Sequence, residues 1–234
     1  MSLDAILFGG IGAVAECAEL DRTAWNGAMR AAGLRWDWNW ATYQSLMATR
    51  DARSPVLRHA IRLGAQVDVG AVERGQARLF AALLAEGLPL RPGVAQVVRR
   101  AAGRGVKLGL VTRSAADPVR AMLKATARAR GGVGFDVAIL RDDLSHLPPH
   151  PEAYLLALDH LGVSAAATLA LVDSPAALQA ADAAHIPTLG FPGTVARSGG
   201  LGVPGRGGEV AVLDIAEIDA AWRRCLRAPA NQWN

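Results

Sequence analysis

The sequence contains little cysteine, almost no lysine and no long apolar run. Two cysteines, Cys17 and Cys225, stand far apart among 234 residues, which excludes a disulfide framework and favours a reducing compartment. No apolar run reaches the roughly 18 residues of a membrane span, and the first residues lack the basic segment and long apolar stretch of a secretory signal. A cytoplasmic protein without membrane association is therefore expected.

Basic charge is carried almost wholly by arginine. Lys107 and Lys124 are the two lysines in a chain whose formal net charge is +4. The arginines are scattered, whereas a nucleic-acid-binding protein concentrates basic residues on one face or motif. We therefore expect no nucleic-acid partner. With 51% apolar and 20% charged residues, the chain has the composition of a globular protein with a sizeable core.

Strand-like apolar runs alternate with helical patterns along most of the chain. This alternation is typical of an α/β fold in which helices flank a parallel sheet. Strands are predicted at residues 5–9, 106–111, 135–140, 168–172 and 188–191, with a possible sixth at 210–213. Helices are predicted near residues 93–102, 118–126, 151–161, 175–184 and 215–226.

Residues 16–86 interrupt the alternation with three or four consecutive helical patterns. Four of the six tryptophans lie there: Trp25, Trp36, Trp38 and Trp40. They predict the aromatic core of a small helical subdomain, and a platform for stacking substrate is the alternative. Residues 86–93 are interpreted as a linker, and residues 197–208, rich in glycine, as a surface loop.

The first predicted strand runs into a glycine-rich turn that suggests dinucleotide binding. Gly10, Gly12 and Ala15 fit the G-x-G-x-x-A pattern. A dinucleotide fold also needs a second strand ending in an acidic residue that holds the ribose. The best candidate is the segment 34–37, with Asp37 in that role, but it is a poor strand and helical patterns follow it. A dinucleotide-binding protein therefore stays only as an alternative.

Several motifs together resemble another family. The opening ILFGGIGAVAECAELDRTAWNGAM is similar to the F-D-x-D-G-T-L start and A-[FW]-N helix of haloacid-dehalogenase superfamily phosphatases, especially the subgroup of CbbY, phosphoglycolate phosphatase and β-phosphoglucomutase. LPLRPGV (88–94) resembles the family's return from cap to core, and LGLVT (108–112) its second motif. PHPEAYL (149–155) resembles its P-x-P-x-x-Y, and LVDS (171–174) its fourth motif. The resemblance implies a Rossmann-like core, residues 1–15 and 87–234, with a helical cap at 16–86.

The family resemblance also implies a chemistry that this chain does not retain. In the family an Asp attacks phosphorus, a second Asp acts as acid and base, a lysine and a Ser or Thr hold the phosphoryl oxygens, and carboxylates bind Mg²⁺. The nucleophile position holds Gly9 and the acid/base position Ile11. Two further replacements are Pro148 at the lysine position and Val172 at the first acidic position of the fourth motif.

Few residues remain to bind phosphate or metal. Thr112 and Asp173 keep the expected side chains, so the resemblance implies Thr112, with neighbouring Arg113, as phosphate-binding residues and Asp173 as the remnant of the metal site. Arg141 also lies beside a family pocket position. Cys17 is a weak candidate for a substitute nucleophile, since a small buried residue is its simpler interpretation.

These replacements lead to three hypotheses about function. The favoured one is a haloacid-dehalogenase-like protein that has lost phosphoryl transfer and binds a small anionic metabolite, such as a sugar phosphate, or a protein partner. No cofactor is expected in that case. The alternatives are an active Mg²⁺-dependent sugar-phosphate phosphatase or phosphomutase with a rearranged site, and the dinucleotide-binding protein.

Overall fold

A computed structural model describes residues 2–47, 51, 53–128, 133–193 and 203–227. One segment singled out in the sequence, the predicted surface loop at 197–208, lies partly outside these ranges: of its residues, 203–208 are described.

The core is a five-stranded parallel sheet with the order β3-β2-β1-β4-β5. Its register pairs Ala5 with Lys107 on one side and with Thr168 on the other. The sheet confirms the predicted α/β fold and all five firmly predicted strands, with shorter bounds for three of them. The strands are β1 (Ala5–Gly9), β2 (Lys107–Val111), β3 (Val137–Ile139), β4 (Thr168–Val172) and β5 (Thr188–Gly190).

Helices cover both faces of this sheet. Ile6 and Phe8 of β1 face one apolar cluster, and Ala5 and Leu7 face the other, because successive side chains of a strand point to opposite faces. The helices are α1 (Ala18–Ala31), α2 (Trp40–Met47), α3 (Pro55–Leu63), α4 (Val69–Glu86), α5 (Val94–Gly103), α6 (Ala116–Arg128), α7 (Glu152–Leu161), α8 (Pro175–Ala183) and α9 (Ile215–Arg227). Helices α5 and α9 pack with Ile6 and Phe8, whereas α7 and α8 pack on the face of Ala5 and Leu7.

Helices α1–α4 follow β1 and contain an aromatic cluster. The rings of Trp25 and Trp38 lie 5.4 Å apart, and both side chains are buried. Asn26 fixes the chain beside them: its amide donates to the Trp38 carbonyl (3.1 Å), and its side-chain oxygen accepts from the Trp38 amide (2.8 Å). Trp36 and Trp40 pack against the same cluster. The aromatic residues therefore form a core, as predicted, and none of these helices is long and apolar enough to cross a membrane within the described residues.

Two predicted strands are not formed. Residues 34–37 are irregular and lead into α2, so Asp37 does not end a strand. Residues 210–213 are also irregular, and the neighbouring Glu209 makes a single bridge to Gly190. Both segments are short, and their apolar residues pack on the apolar clusters instead, Leu34 and Trp36 on the aromatic cluster and Val210 and Leu213 on the cluster of Ile6 and Phe8.

Candidate functional site

A cavity of about 730 Å³ lies at the carboxyl ends of the central strands, beneath helices of the 16–86 segment. This edge of a doubly wound sheet is where ligands usually bind. Six of the seven residues assigned to the family's catalytic, phosphate and metal positions line it: Gly9, Ile11, Thr112, Arg113, Pro148 and Asp173, and the candidates Cys17 and Arg141 line it as well. The structure therefore brings together positions that are up to 164 residues apart (173 minus 9).

Val172 is the exception among the predicted pocket positions. Its side chain is fully buried in the cluster that β4 shares with α7 and α8, and it does not line the cavity. Alternation along β4 explains the difference, because Asp173 leaves the strand toward the cavity while Val172 stays in the core. The assignment of Val172 to the first acidic position of the fourth motif stays a prediction.

The Tyr154 hydroxyl lies where a side chain at position 9 would begin. Gly9 is on the same sheet face as Ala5 and Leu7, which is the face covered by α7, the helix that carries Tyr154. A Cβ placed on Gly9 would overlap the Tyr154 hydroxyl and stand 3.1 Å from the Leu171 carbonyl oxygen. Tyr154 is 1% exposed, and its hydroxyl has no hydrogen-bond partner among the described residues. A neutral donor thus lies directly beside Gly9, the residue at the position where the family resemblance predicts a nucleophile.

Asp173 fills the glycine-rich turn. Its carboxylate oxygens lie 3.0 and 3.2 Å from the position of a Cβ on Gly10, and a Cβ on Gly12 would overlap one of them. The two glycines therefore make room for a carboxylate, which would repel a pyrophosphate. Residues 11–13 form a 3₁₀ turn, and α1 begins only at Ala18, so no helix N-terminus points into the turn as a dinucleotide site requires. The geometry does not support the dinucleotide hypothesis.

Burial shifts the protonation of Asp173. Desolvation raises the pKa of its carboxyl to about 6, against the opposing effects of the Arg91 guanidinium and of a hydrogen bond from Ser174. A fraction of the carboxyl is therefore protonated near neutral pH, unlike an exposed aspartate.

The residues present are a poor match for Mg²⁺. This ion prefers oxygen ligands, dehydrates reluctantly and is usually held by carboxylates. Gly9 and Ile11 bring no side-chain oxygen, and Val172 is apolar and does not line the cavity, so Asp173 is the single carboxylate among these positions. Within the described part of the chain, Asp173 belongs to no group of three close metal-ligating side chains. The site does not fit the family's metal.

Two arginines of the cavity form no ion pair within 4 Å with a described carboxylate, although burial raises the pKa of Asp21 and of Asp173 and the charge of Arg113 opposes that rise. Arg113 follows β2, where its guanidinium reaches the Met47 sulfur at 3.5 Å, and Arg74 projects from α4. Arg141, the other arginine named from the sequence, is instead paired with Glu73 at 3.0 Å. Thr112 is buried, and its hydroxyl accepts a hydrogen bond from the Ser114 amide (3.1 Å).

Most of the acidic and nucleophilic side chains of the cavity are already engaged. Asp21 accepts hydrogen bonds from the Tyr43 hydroxyl (2.7 Å) and the Gln76 amide (2.6 Å). Burial, together with nearby carboxylates, raises the pKa of the Cys17 thiol well above its usual value. Because the thiolate is the nucleophilic form, Cys17 is a poor candidate for a nucleophile. Of the two lysines, Lys107 does not line the cavity, and its ammonium donates a hydrogen bond to the Leu161 carbonyl.

Arg91 is a structural residue of the site to which the sequence analysis gave no role. It is 2% exposed, forms an ion pair with Glu16 (3.2 Å), and donates to the carbonyls of Gly12 (3.1 Å) and Pro192 (2.6 Å). Its guanidinium also lies 3.3 Å from the centre of the Phe191 ring. Arg91 thereby ties the turn after β1 to the end of β5. Arg91 is the arginine of the LPLRPGV segment in the sequence, but the residues that it contacts are distant in the chain.

The family profile for haloacid dehalogenase-like hydrolases matches residues 15–185. CbbY of Rhodobacter capsulatus is 32% identical over 190 residues, covering 80% of this chain and 84% of that protein. CbbY of Cereibacter sphaeroides is 33% identical over 199 residues, which cover 83% of this chain and 86% of that protein.

Solved structures agree with this assignment. A variant of CbbY from Rhodobacter sphaeroides, in complex with xylulose-1,5-bisphosphate, has a TM-score of 0.74 at 32% identity and covers 84% of this chain and 89% of its own. β-Phosphoglucomutase from Clostridium difficile has a TM-score of 0.71 at 16% identity and covers 97% of this chain and 100% of its own. At this identity the similarity supports the fold alone. The sheet order, the cavity at its carboxyl edge and these similarities lead to one conclusion: the chain belongs to the haloacid dehalogenase-like hydrolases and is related to CbbY.

Proposed function

We propose that this chain binds a small phosphate ester, such as a sugar phosphate, without transferring its phosphoryl group. The observation that carries the proposal is the Tyr154 hydroxyl, which is buried at the edge of the cavity beside Gly9 and has no hydrogen-bond partner among the described residues. A phenol hydroxyl donates a hydrogen bond to a phosphate oxygen and, as the neutral form, does not attack phosphorus. Residues 16–86 act in this proposal as the cap over the ligand.

The missing groups argue against an aspartyl-phosphate mechanism. Removal of a single nucleophile from a hydrolase lowers turnover by about a millionfold. Here Gly9 removes the nucleophile, Ile11 the general acid and base, and Pro148 the lysine that would hold phosphoryl oxygens. With Asp173 alone at the metal positions, the charge of the transition state would also lack its usual Mg²⁺ stabilisation.

The remaining donors suit an anion. Arg113 and Thr112 follow β2, Arg74 faces the cavity from α4, and Tyr154 offers its hydroxyl from α7. Glu16 and Glu73 are held in ion pairs by Arg91 and Arg141, and Asp21 accepts a hydrogen bond from Tyr43. CbbY of Rhodobacter sphaeroides has been solved in complex with xylulose-1,5-bisphosphate and with phosphate, which makes these two compounds the first probes.

Calorimetric titration tests binding. We expect xylulose-1,5-bisphosphate to bind with the same affinity in the presence and absence of Mg²⁺. Arg74→Gln should weaken binding about tenfold or more, because a charge-assisted hydrogen bond contributes about 1.5–3 kcal/mol. Arg78→Gln is the matched control: it is exposed on the same helix, outside the cavity. Tyr154→Phe should weaken binding about 2- to 13-fold, the size of a neutral hydrogen bond.

Phosphate release tests the absence of turnover. The natural chain should release no phosphate from sugar phosphates above the rate without protein. A variant with Gly9→Asp, Ile11→Asp and Pro148→Lys, together with Tyr154→Phe to make room at position 9, should gain Mg²⁺-dependent release. Turnover by the natural chain would contradict the proposal and favour a rearranged active site. Absence of any binding would leave a protein partner as the remaining role.

A further inference from the structure

Two histidines and a glutamate come together outside the cavity, in the segment that joins β3 to α7. One ligand atom each from His146, His150 and Glu152 lies within 4.8 Å of the others. The two imidazole rings stack with their centres 4.5 Å apart, and both histidines are exposed. No other group of three such side chains is this close within the described residues.

Backbone hydrogen bonds hold the glutamate in place. The Glu152 carboxylate accepts from the amides of Ser145 (3.1 Å) and His146 (2.6 Å). The same contacts, with the His146 ring, lower the pKa of the Glu152 carboxyl, so it is charged at neutral pH. A charged, oriented carboxylate beside two exposed imidazoles needs little rearrangement to receive a cation.

The spacing fits a transition-metal ion. Ligand atoms at 2.0–2.1 Å from zinc and at tetrahedral angles are about 3.3 Å apart. Nδ1 of His146 lies 3.1 Å from Oε2 of Glu152, and Nδ1 of His150 accepts a hydrogen bond from the Glu152 amide at 3.2 Å, which shows that its lone pair points toward the same residue. Imidazole nitrogen favours zinc, cobalt, nickel or copper, whereas magnesium and calcium prefer oxygen alone.

We propose that His146, His150 and Glu152 form a binding site for a divalent transition-metal ion, with zinc as the first candidate. The ion lies between Nδ1 of His146, which then carries its proton on Nε2, and the Glu152 carboxylate. Nδ1 of His150 is the third ligand and exchanges its bond from the Glu152 amide for the ion. Water completes the tetrahedron, since the site is open to solvent.

The ion would hold in place the segment 146–150, which lies at the edge of the cavity. Leu147 and Pro148 lie between the two histidines and line the cavity. Their segment stands where the family has its phosphate-binding lysine, so a bound ion holds this edge of the pocket in place. The site does not depend on the function proposed above, because none of its three ligands lines the cavity.

Titration of the untagged chain with zinc chloride tests the proposal. We expect one zinc ion per chain and, with cobalt, visible absorption bands typical of tetrahedral coordination. His146→Ala and His150→Ala should each weaken zinc binding by about 10- to 100-fold or more, at least the loss found when supporting partners of a ligand are removed. His160→Ala is the matched control: it is an exposed histidine of α7 bonded to the Leu156 carbonyl, and it should bind zinc as the natural chain does.

Thermal unfolding gives an independent measurement. At free zinc of 100 times its dissociation constant, the Tm of the natural chain should rise by about 5–10 °C, and that of the double variant His146→Ala, His150→Ala should not. Circular dichroism without metal shows whether the variants fold. Failure of the natural chain to bind zinc stoichiometrically, or equal binding by the folded double variant, would overturn the proposal.

Discussion

The overlap between the Tyr154 hydroxyl and a Cβ on Gly9 makes substitutions at position 9 informative. Gly9→Ala adds one methyl group to a fully packed strand end, where it meets the hydroxyl, the Leu171 carbonyl oxygen at 3.1 Å and the Val172 side chain at 3.4 Å. The contact with the Leu171 oxygen is tight and the contact with the Val172 side chain is ordinary, whereas the contact with the hydroxyl requires Tyr154 to move. Overpacking of this kind costs about 1–3 kcal/mol.

Removal of the hydroxyl should recover most of that loss. Tyr154→Phe by itself should be neutral or stabilising, because it eliminates a buried polar group without a described partner, whose burial costs about 1–3 kcal/mol. In the Tyr154→Phe background, Gly9→Ala should cost less than in the natural chain. The coupling energy of the double-mutant cycle should fall at about 0.5–3 kcal/mol, the range found for residues in contact.

Denaturant unfolding of the four chains measures the cycle. Gly103→Ala is the control for adding a methyl group at glycine, since a Cβ there meets nothing within 4 Å at the end of α5. It should change stability by less than about 1 kcal/mol, or stabilise the helix. Additive effects of Gly9→Ala and Tyr154→Phe would refute the reasoning that the hydroxyl occupies the nucleophile's place, and with it the main support for the proposed function.

Three further substitutions test the surroundings of the cavity. The pKa of Asp173 is about 6 in the folded chain, against 3.8 for an unperturbed aspartate, so the folded chain holds this proton more tightly than the unfolded chain does. The stability that the bound proton contributes is therefore complete below pH 3.8 and is lost as the pH rises through 6. Urea unfolding should show that the natural chain loses up to about 3 kcal/mol between pH 4 and 6.5 relative to Asp173→Asn. Arg91→Leu removes the ion pair with Glu16 and the hydrogen bonds to the carbonyls of Gly12 and Pro192, and it should lower the free energy of unfolding by about 3–5 kcal/mol, with no such loss if these contacts are dispensable. Asn26→Ala removes both hydrogen bonds to the Trp38 backbone and should cost about 1–3 kcal/mol, measured by tryptophan fluorescence during unfolding.

Local pattern was sufficient for the sheet but not for every apolar run. The five buried strands alternate with helices, and each run is long or apolar enough to be recognised without knowledge of its partners. Residues 34–37 and 210–213 carry weaker patterns, and tertiary packing leaves both irregular. The placement of the cap boundary at residues 15–16 and 86–87 stays a prediction.

The sequence by itself determined the parallel α/β fold, and its family resemblance predicts that Gly9, Ile11 and Pro148 stand at the positions of the family's chemical groups. Only the tertiary structure decided which side chains lie around these residues. The Tyr154 hydroxyl reaches Gly9, the Asp173 carboxylate occupies the glycine turn, and Arg91 joins segments at opposite ends of the chain. The physical reason is the sequence separation of the residues involved. The periodicity of a segment indicates which face of a helix or strand is buried, because it depends on neighbouring residues. The side chains that fill a cavity are distant in sequence and meet only when the sheet is assembled.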